Sequence, residues 1–233
     1  MTCSTLRKPI LVLSMIFFTG SLFAQKTELM ANGYGGLFSF YGNGSVSSAT
    51  GEINAEAFYG RHPGFAYSFE LQVQRVTRQK HLYGLGLSID KVKSRTNTTP
   101  YTINIGPSNP PPPPPATKTI LSNSFLTMNP YIGHQFTIKR ITLDVDAGLD
   151  LAYYLKGYVI IKTPSTKGKD FYSFPRNEVT PSMDIRSRVQ INARYKRFGL
   201  LAGYSLGLTD YKKEAGSKAY ASFVRMGISF RLK

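Results

Sequence analysis

Eight stretches of the chain alternate between apolar and polar side chains with a period of two. In residues 141–155 every odd-numbered position is apolar, whereas Asp144, Asp146 and Asp150 lie among the even-numbered positions. A period of two is typical of a β-strand, because successive side chains leave opposite faces of the chain. The other stretches are residues 29–40, 65–73, 82–90, 125–138, 183–195, 198–208 and 220–232. The pattern therefore predicts an all-β chain of about eight strands.

The segments between these stretches alternate in length. Short polar turns are followed by long segments, which are residues 41–64, 94–124 and 156–182, with a shorter fourth at 209–219. Tight turns at one end and long loops at the other are typical of a transmembrane β-barrel, whose strands need roughly 9–11 residues to cross a bilayer. The predicted fold class is an all-β, eight-stranded antiparallel up-and-down transmembrane β-barrel.

Alternation alone does not say which face points outward. A soluble lipid-binding barrel also has eight strands, but its apolar face turns inward. Three features favour the membrane barrel. The polar face is rich in glycine, as at Gly84, Gly148, Gly203 and Gly227, which suits a crowded lumen. The apolar face carries almost no charge, and aromatic residues gather near strand ends as interfacial girdles do.

Two strands carry features that depart from this regular pattern. In residues 29–40, the weakest stretch, Tyr34, Phe38 and Phe40 form the apolar set, and the glycines among them are interpreted as small lining residues. Pro130 lies inside residues 125–138, and proline cannot donate a hydrogen bond to a ladder. We therefore expect a bulge or a strand start at Pro130.

The N-terminal 24 residues are predicted to be a cleaved signal peptide that precedes a barrel domain at 25–233. Arg7 and Lys8 form a charged start, residues 10–18 form an apolar core, and small residues precede Gln25. Cys3, the only cysteine, lies in this leader, so the mature chain is expected to have no disulfide or thiol chemistry. Export without cysteines favours a bacterial outer-membrane location.

The strand sequences resemble a known group of proteins, the small outer-membrane β-barrel proteins of the PorT-like, or porin-family, type (outer membrane protein beta-barrel domain). The stretches that carry the resemblance are GFAYSFELQVQRV, LYGLGLSID, FLTMNPYIGHQF, ITLDVDAGLDLAYYLKG and VRMGISFRL. The resemblance implies an outer-membrane location and an eight-stranded barrel. It implies no activity, and a role in protein secretion does not carry over from the pattern.

The chain is strongly basic, with 29 Lys and Arg against 13 Asp and Glu and a formal charge of +16. Without the leader, 27 basic residues against the same 13 acidic residues leave +14. A basic excess can indicate nucleic acid, but the export signal argues against it. The predicted partner is outer-membrane lipid, including lipopolysaccharide, whose phosphates could meet cations assigned to the loops, such as Arg95, Lys118, Lys156 and Lys162. A merely solvated basic surface and a protein partner of the envelope stay open.

The polar faces of the strands predict a network of charges in the lumen. Its members are Glu70, Asp90, Asp144, Asp146, Asp150, Arg186, Arg188, Arg194 and Arg225. If residues 141–155 pair with 183–195, any register that joins the apolar faces also joins acids and arginines. One such register sets Asp150 opposite Arg188 and Asp144 opposite Arg194, although the long loop leaves the register open. The network is interpreted as a plug that stiffens a narrow barrel or, alternatively, as a charge-lined path for small ions.

Other candidate chemistry is sparse. Six prolines at residues 110–115 predict a stiff polyproline II segment, either a spacer or a docking ligand. His62 is assigned to a loop, His81 to a turn and His134 to the apolar face, so they form no Ser/His/acid set. No metal-ligand spacing or nucleotide motif is present in the sequence. We therefore predict no enzyme and no cofactor.

The function predicted from these observations is that of an outer-membrane scaffold that displays its loops for adhesion, surface interaction or envelope integrity. A narrow pore, or a component associated with transport or secretion, is the alternative. A lipid A-modifying enzyme is the third hypothesis.

Overall fold

The computed structural model describes residues 24–46, 48–50, 59–99, 117–162, 169–173, 181–212 and 216–233. These residues contain ten strands: β1 (Ala24–Tyr41), β2 (Ser48–Thr50), β3 (His62–Thr77), β4 (His81–Thr99), β5 (Thr117–Ile138), β6 (Ile141–Lys162), β7 (Lys169–Ser173), β8 (Met183–Tyr195), β9 (Phe198–Gly207) and β10 (Tyr220–Arg231). The proline run and the predicted leader, apart from Ala24, lie outside the described residues. In the described part of the chain no helix is long and apolar enough to span a membrane.

Eight of these strands close into a single barrel. Their order around it is β3, β1, β10, β9, β8, β6, β5 and β4, and β4 pairs with β3 to complete the circle. Every pair of neighbours in the barrel is antiparallel. The short strands β2 and β7 lie off this path and extend the sheet at the ends of β4 and β6. The predicted eight-stranded antiparallel barrel is confirmed.

Apolar side chains cover the outside of the barrel. Leu71, Leu87, Ile132 and Met226, on four different strands, are all exposed, with Met226 at 68%. The alternate positions point inward, where most buried residues are polar or charged. A soluble barrel has the opposite distribution, whereas a barrel that crosses a lipid bilayer turns its apolar face outward. The apolar exterior therefore fits a transmembrane barrel.

The two ends of the barrel differ. Short turns at 78–80, 139–140 and 196–197 join strands at one end, which we call the turn end, and the longer connections all lie at the other, the loop end. Each turn contains a lysine with positive φ: 67° at Lys80, 55° at Lys139 and 56° at Lys196. A left-handed residue lets the chain reverse within two or three positions, so these turns fix the register of their hairpins.

Three strands run further towards the loop end than the sequence pattern predicts. β4 continues to Thr99, β5 begins at Thr117 and β6 continues to Lys162, so parts of the predicted loops 94–124 and 156–182 are sheet. His62, also assigned to a loop, begins β3 opposite Arg95. Several outward positions in these extensions are charged, as at Lys93, Arg95 and Lys162, although Ile120 and Ile160 also point outward. The hydropathy pattern therefore fades there while the backbone ladder continues.

The inward face of β1 corrects one prediction. Tyr34, Phe38 and Phe40 point into the lumen and are at most 4% exposed. A methyl group built at Gly33 would meet no atom within 4 Å, so Gly33 faces outward. The apolar set of this strand therefore lines the lumen, and Gly33 does not. The error arose because an apolar side chain was taken as a marker of the lipid face, although the lumen near the loop end is itself apolar.

The predicted irregularity at Pro130 is wrong. Pro130 pairs with Leu85 of β4, and the register with β6 is the same on both sides of it. The register shift of β5 against β6 lies instead between Ser124 and Phe125. Proline has no N–H group, so the hydrogen-bond ladder to β6 is interrupted at Pro130, but the register of the two strands does not change.

Candidate functional site in the barrel lumen

All nine predicted lumenal charges face the interior, and none is more than 5% exposed. Strand alternation places them there, because each lies two, four or six residues from another inward position of its strand. They come from β3, β4, β6, β8 and β10 and so enter the lumen from several sides. Seven acidic and basic residues, joined by salt bridges in two groups, form what we call the charged network: Glu28, Glu70, Asp144, Asp150, Arg188, Arg194 and Arg225.

Arg188 is the central member of the charged network. Its Nη1 atom donates to Glu70 Oε2 at 2.8 Å and approaches Asp150 Oδ1 at 3.4 Å, while Nη2 donates to the Tyr34 hydroxyl at 3.0 Å. Glu70 lies on β3 and Arg188 on β8, and these strands are four places apart in either direction around the barrel. A single ion pair therefore spans the full width of the lumen.

Asp150 is held from three further directions. Its carboxylate accepts hydrogen bonds from Arg225 Nη2 at 2.6 Å, Ser205 Oγ at 2.8 Å and Asn129 Nδ2 at 3.1 Å. Arg225 also donates to the Ser205 hydroxyl at 2.6 Å. Asp150 therefore joins β5, β6, β9 and β10, and its charge is balanced by two guanidinium groups.

A second pair of acids meets one arginine nearer the turn end. Arg194 donates through Nη1 to Glu28 Oε2 at 2.7 Å and through Nη2 to Asp144 Oδ2 at 2.6 Å. Gln74 donates to the same two carboxylates at 2.8 and 3.3 Å. Glu28 was missed from the sequence because the predicted first strand began one residue after it. Glu28 lies an even number of residues from Tyr34, as the other inward-facing positions of β1 do, and this spacing was the signal that could have found it.

The observed register between β6 and β8 differs from the one that the sequence offered. Asp150 lies directly opposite Arg186, and Arg194 lies opposite Thr142, so the register with Asp150 opposite Arg188 is wrong by two residues. Asp150 nevertheless reaches Arg188, and Asp144 reaches Arg194, as diagonal neighbours. The side chains of arginine are long enough for diagonal contacts, and a shift of two residues keeps the same face inward.

Two of the predicted residues have no arginine partner. Asp90 accepts hydrogen bonds from the hydroxyls of Ser68, Ser88 and Thr127, the last two at 2.9 and 2.7 Å. Asp146 forms no salt bridge with any residue that the structure describes. The structure therefore does not join these two acids to arginines.

Aromatic rings occupy the lumen near the loop end. We call this group the aromatic cap, and it consists of Phe38, Phe40, Tyr59, Phe125, Tyr154, Tyr211 and Phe223, all buried. The centroid of the Phe40 ring lies 5.2 Å from that of Phe38, 5.3 Å from that of Tyr59 and 4.8 Å from that of Tyr211, each in edge-to-face geometry. Such geometry is the favoured packing of aromatic pairs. The cap was not predicted, because Phe38 and Phe40 were assigned to the apolar face, and the aromatic residues on the polar face, Tyr154 and Phe223, were not recognised as a group.

Arg186 lies where the cap meets the polar lumen. Its Nε atom donates to Asp184 Oδ2 at 2.5 Å, and its guanidinium lies between the rings of Phe38 and Phe125, at 5.5 and 5.1 Å from their centroids. A cation against an aromatic face is attractive, more so where water is excluded. Arg186 therefore forms an ion pair with Asp184, which was not among the predicted lumenal charges, and stacks against the rings of Phe38 and Phe125.

Tyr211 ties the connection between β9 and β10 to this junction. Its hydroxyl donates to Asp184 Oδ2 at 2.6 Å, and its backbone carbonyl accepts from the Tyr59 hydroxyl at 3.0 Å. Burial raises the pKa of the Tyr211 phenol well above its usual value, so it stays protonated and able to donate. The connection is thus fastened over the loop end of the lumen.

Glycines on the inward face make room for larger side chains. A methyl group at Gly84 would overlap the Tyr131 ring, and one at Gly199 would lie 2.6 Å from Arg194 Cγ. The lumen is therefore filled closely enough that positions opposite a long side chain must be small. This agrees with the prediction that glycine relieves crowding on the polar face.

The three histidines do not meet. His81 lies opposite His134 at the turn end, with ring centroids 5.3 Å apart, whereas His62 begins β3 at the loop end. Among the described residues, no three or more His, Cys, Asp and Glu side chains are grouped so as to hold a metal ion. The lumen offers charge pairs and aromatic packing as its chemistry.

Comparisons with known proteins give one solved structure to report. No protein-family model matches the chain. No curated protein matches it either. The crystal structure of Neisserial surface protein A (NspA) is similar, with a TM-score of 0.38 and 10% sequence identity, covering 88% of this chain and 99% of that chain. The resemblance to the PorT-like type stays a prediction.

Proposed function

We propose that the protein is an integral β-barrel of a bacterial outer membrane, with a closed lumen, that serves as a scaffold displaying its loop end outside the cell. The observation that carries the proposal is the ion pair between Glu70 and Arg188, at 2.8 Å, which bridges opposite walls of the barrel. A side chain contact across the full width leaves little room for solutes to pass. An eight-stranded barrel has an interior just wide enough for side chains to fill.

The aromatic cap supports the same proposal at the loop end. Phe40 packs against Tyr59 and Tyr211, and these residues come from β1 and from two of the connections. The phenylalanine rings of the cap carry no polar group, and the hydroxyls of Tyr59 and Tyr211 are held in hydrogen bonds within the protein. The cap and the charged network therefore close the lumen at two levels by different means.

The proposed orientation follows from the two ends. In outer-membrane barrels the short turns face the periplasm and the long connections face outward. Extended β4, β5 and β6 would then rise beyond the bilayer and present a sheet to the surroundings. The surface available for interaction is therefore strand as well as loop.

A narrow channel, or a component associated with transport or secretion, is the alternative function. It is favoured by the succession of charges along the lumen, from Arg194 near the turn end through Arg188 to Arg186. The aromatic cap argues against it, because a conducting path would have to cross the rings around Phe40. We propose no catalytic role, so overexpression should leave lipid A acylation unchanged.

Cysteine labelling of intact cells tests the proposed location and orientation. The only native cysteine is Cys3, so the variants Asn97→Cys at the loop end and Lys139→Cys at the turn end each introduce a single reporter into the mature chain. A membrane-impermeant maleimide should label Asn97→Cys on intact cells and Lys139→Cys only after lysis. Equal labelling of both variants on intact cells, or a protein found in the soluble fraction whose gel migration ignores boiling, would contradict the proposal.

A further inference from the structure

Beyond the lipid-facing residues, the outward faces of β4 and β6 each carry a lysine at one level of the barrel, where Ser124 of β5 lies between them. On β4 the apolar series ends at Ile89, and the next outward residues are Lys91, Lys93 and Arg95. On β6 Lys156 directly follows the lipid-facing Leu155, and the outward positions beyond it are Tyr158, Ile160 and Lys162. We call the cations of these three strands the basic face: Lys91, Lys93, Arg95, Lys118, Lys156 and Lys162.

The strand register gathers these cations into rows. Lys91 lies opposite Ser124, which lies opposite Lys156, so two lysines flank a small residue. Further out, Lys118 of β5 lies opposite Lys162 of β6. Neighbouring strands are about 4.8 Å apart, so Lys91 and Lys156 start about 10 Å from each other and their flexible ends can converge on one anion.

Within the described extensions of β4, β5 and β6, no carboxylate lies among the cations of the basic face. The outward positions of residues 91–97, 118–124 and 156–162 contain no Asp or Glu, and the acids of the barrel strands described above point into the lumen. Two of these cations contact uncharged groups: Lys91 Nζ lies 5.6 Å from the centroid of the Tyr158 ring, and Arg95 Nε donates to the Pro63 carbonyl at 2.7 Å. The positive charge is therefore available to a partner.

The basic face occupies one side of the barrel. At the loop end of β8, β9, β10 and β1, the outward positions include Met183, Leu206, Ser222 and Ser39, and none of the outward strand residues there is a cation. A general excess of basic residues would not produce such an asymmetry. The asymmetry points to a partner that approaches β4, β5 and β6.

We propose that the basic face binds the phosphate groups of a phosphorylated glycolipid of the outer leaflet, of the lipid A type. The proposal rests on the proposed outer-membrane insertion. Lys91 follows the last lipid-facing residue of β4 by two positions, or about 7 Å, which places it at the level of the headgroups. Clusters of lysine and arginine beside a membrane attract anionic headgroups, and lysine binds phosphate as a compact charge. The acyl chains would lie against the apolar side chains below, such as Leu87 and Ile89.

A lipid A binding assay on the purified full-length protein in detergent tests the proposal. The probes are lipid A with both phosphates and the same lipid with its phosphates removed. The wild type should prefer the phosphorylated form by about tenfold or more, and added salt should reduce the preference. The triple variant Lys91→Gln, Lys93→Gln, Lys156→Gln should lose the preference.

A matched control removes the same charge from the other end of the barrel. The triple variant Lys139→Gln, Arg140→Gln, Arg197→Gln lies at the turn end and should bind phosphorylated lipid A as the wild type does. Equal affinity of the wild type for both probes would overturn the proposal, and so would equal loss in both triple variants. Heat-dependent gel migration, measured on each sample, shows whether the barrel is folded. A folded, inserted barrel without lipid A preference would refute this proposal alone, whereas a protein that does not insert would refute the proposed function.

Discussion

The charged network and the aromatic cap occupy the same lumen but are held together differently. In the network each contact is directional and joins defined partners on distant strands, as between Arg188 and Glu70. In the cap, rings such as Phe40 and Tyr211 pack edge to face and exchange only apolar surface and weak dipolar attraction. On β1, β6 and β10, inward-facing positions carry members of both groups: Glu28 and Phe38 on β1, Asp150 and Tyr154 on β6, Arg225 and Phe223 on β10. Whether a side chain points into the lumen is therefore set by its alternating position along the strand. The polarity of the side chain does not decide it.

The two regions should also respond differently to substitution. Removing one partner of a buried ion pair leaves the other charge without compensation, which costs about 3–5 kcal/mol. Trimming a ring in the cap removes apolar contact but leaves no unpaired charge. The following substitutions, from the largest expected effect to the smallest, test that difference.

The variant Arg188→Met should give the largest loss, about 3–5 kcal/mol in the free energy of unfolding. Removing the Arg188 guanidinium leaves Glu70 and one oxygen of Asp150 buried without a guanidinium partner. Urea unfolding of the protein in lipid vesicles measures the loss. The exposed turn residue Arg197, changed to Met as a control, should alter stability by less than about 0.5 kcal/mol. Equal stability of both variants would show that the lumenal pairs contribute little.

The variant Tyr211→Phe removes the hydroxyl that joins the cap to Asp184 while it keeps the ring. A hydrogen bond to a charged group contributes about 1.5–3 kcal/mol, and we expect a loss in that range. Thermal unfolding followed by gel migration provides the measurement. The exposed Tyr83, changed to Phe, is the control and should have no effect. A loss no greater than that of the control would mean that the connection is not fastened by this contact.

The variant Gly84→Ala tests how tightly the lumen is filled. A methyl group there overlaps the Tyr131 ring, and overpacking costs about 1–3 kcal/mol. Gly33→Ala is the matched control, because a methyl group at Gly33 meets no atom within 4 Å. Unfolding in urea should separate the two variants by at least about 1 kcal/mol. If they are indistinguishable, the lumen has more free space than its side chain contacts indicate.

The variant Phe40→Leu should have the smallest effect of the four, about 1–2 kcal/mol, because it shortens one ring of the cap without exposing a charge. The same unfolding measurement applies, with Phe198→Leu on the exposed face as its control. A loss as large as that of Arg188→Met would remove the proposed difference between the two regions.

The sequence alone predicted the fold and most inward-facing charges, because both follow from a period of two. It did not predict the inward aromatic residues of β1, since Phe38 and Phe40 have the hydropathy of lipid-facing residues. It also missed the strand extensions around Arg95 and Lys162, where outward side chains are charged. A long connection joins β6 and β8, so the sequence could show which faces of the two strands align but not which residues lie opposite each other. Glu28 was missed because the predicted first strand began at residue 29, and Asp184, on the same strand as Arg186, was not included in the predicted network.

The closed lumen is tested most directly by electrical recording of the purified full-length protein in planar lipid bilayers. The charged network should block the lumen through contacts such as that between Arg188 and Glu70, and the aromatic cap should close its loop end. We predict no single-channel steps from folded, heat-modifiable protein. Steady steps of uniform size, absent from a boiled sample of the same preparation, would contradict a closed lumen and favour a narrow channel.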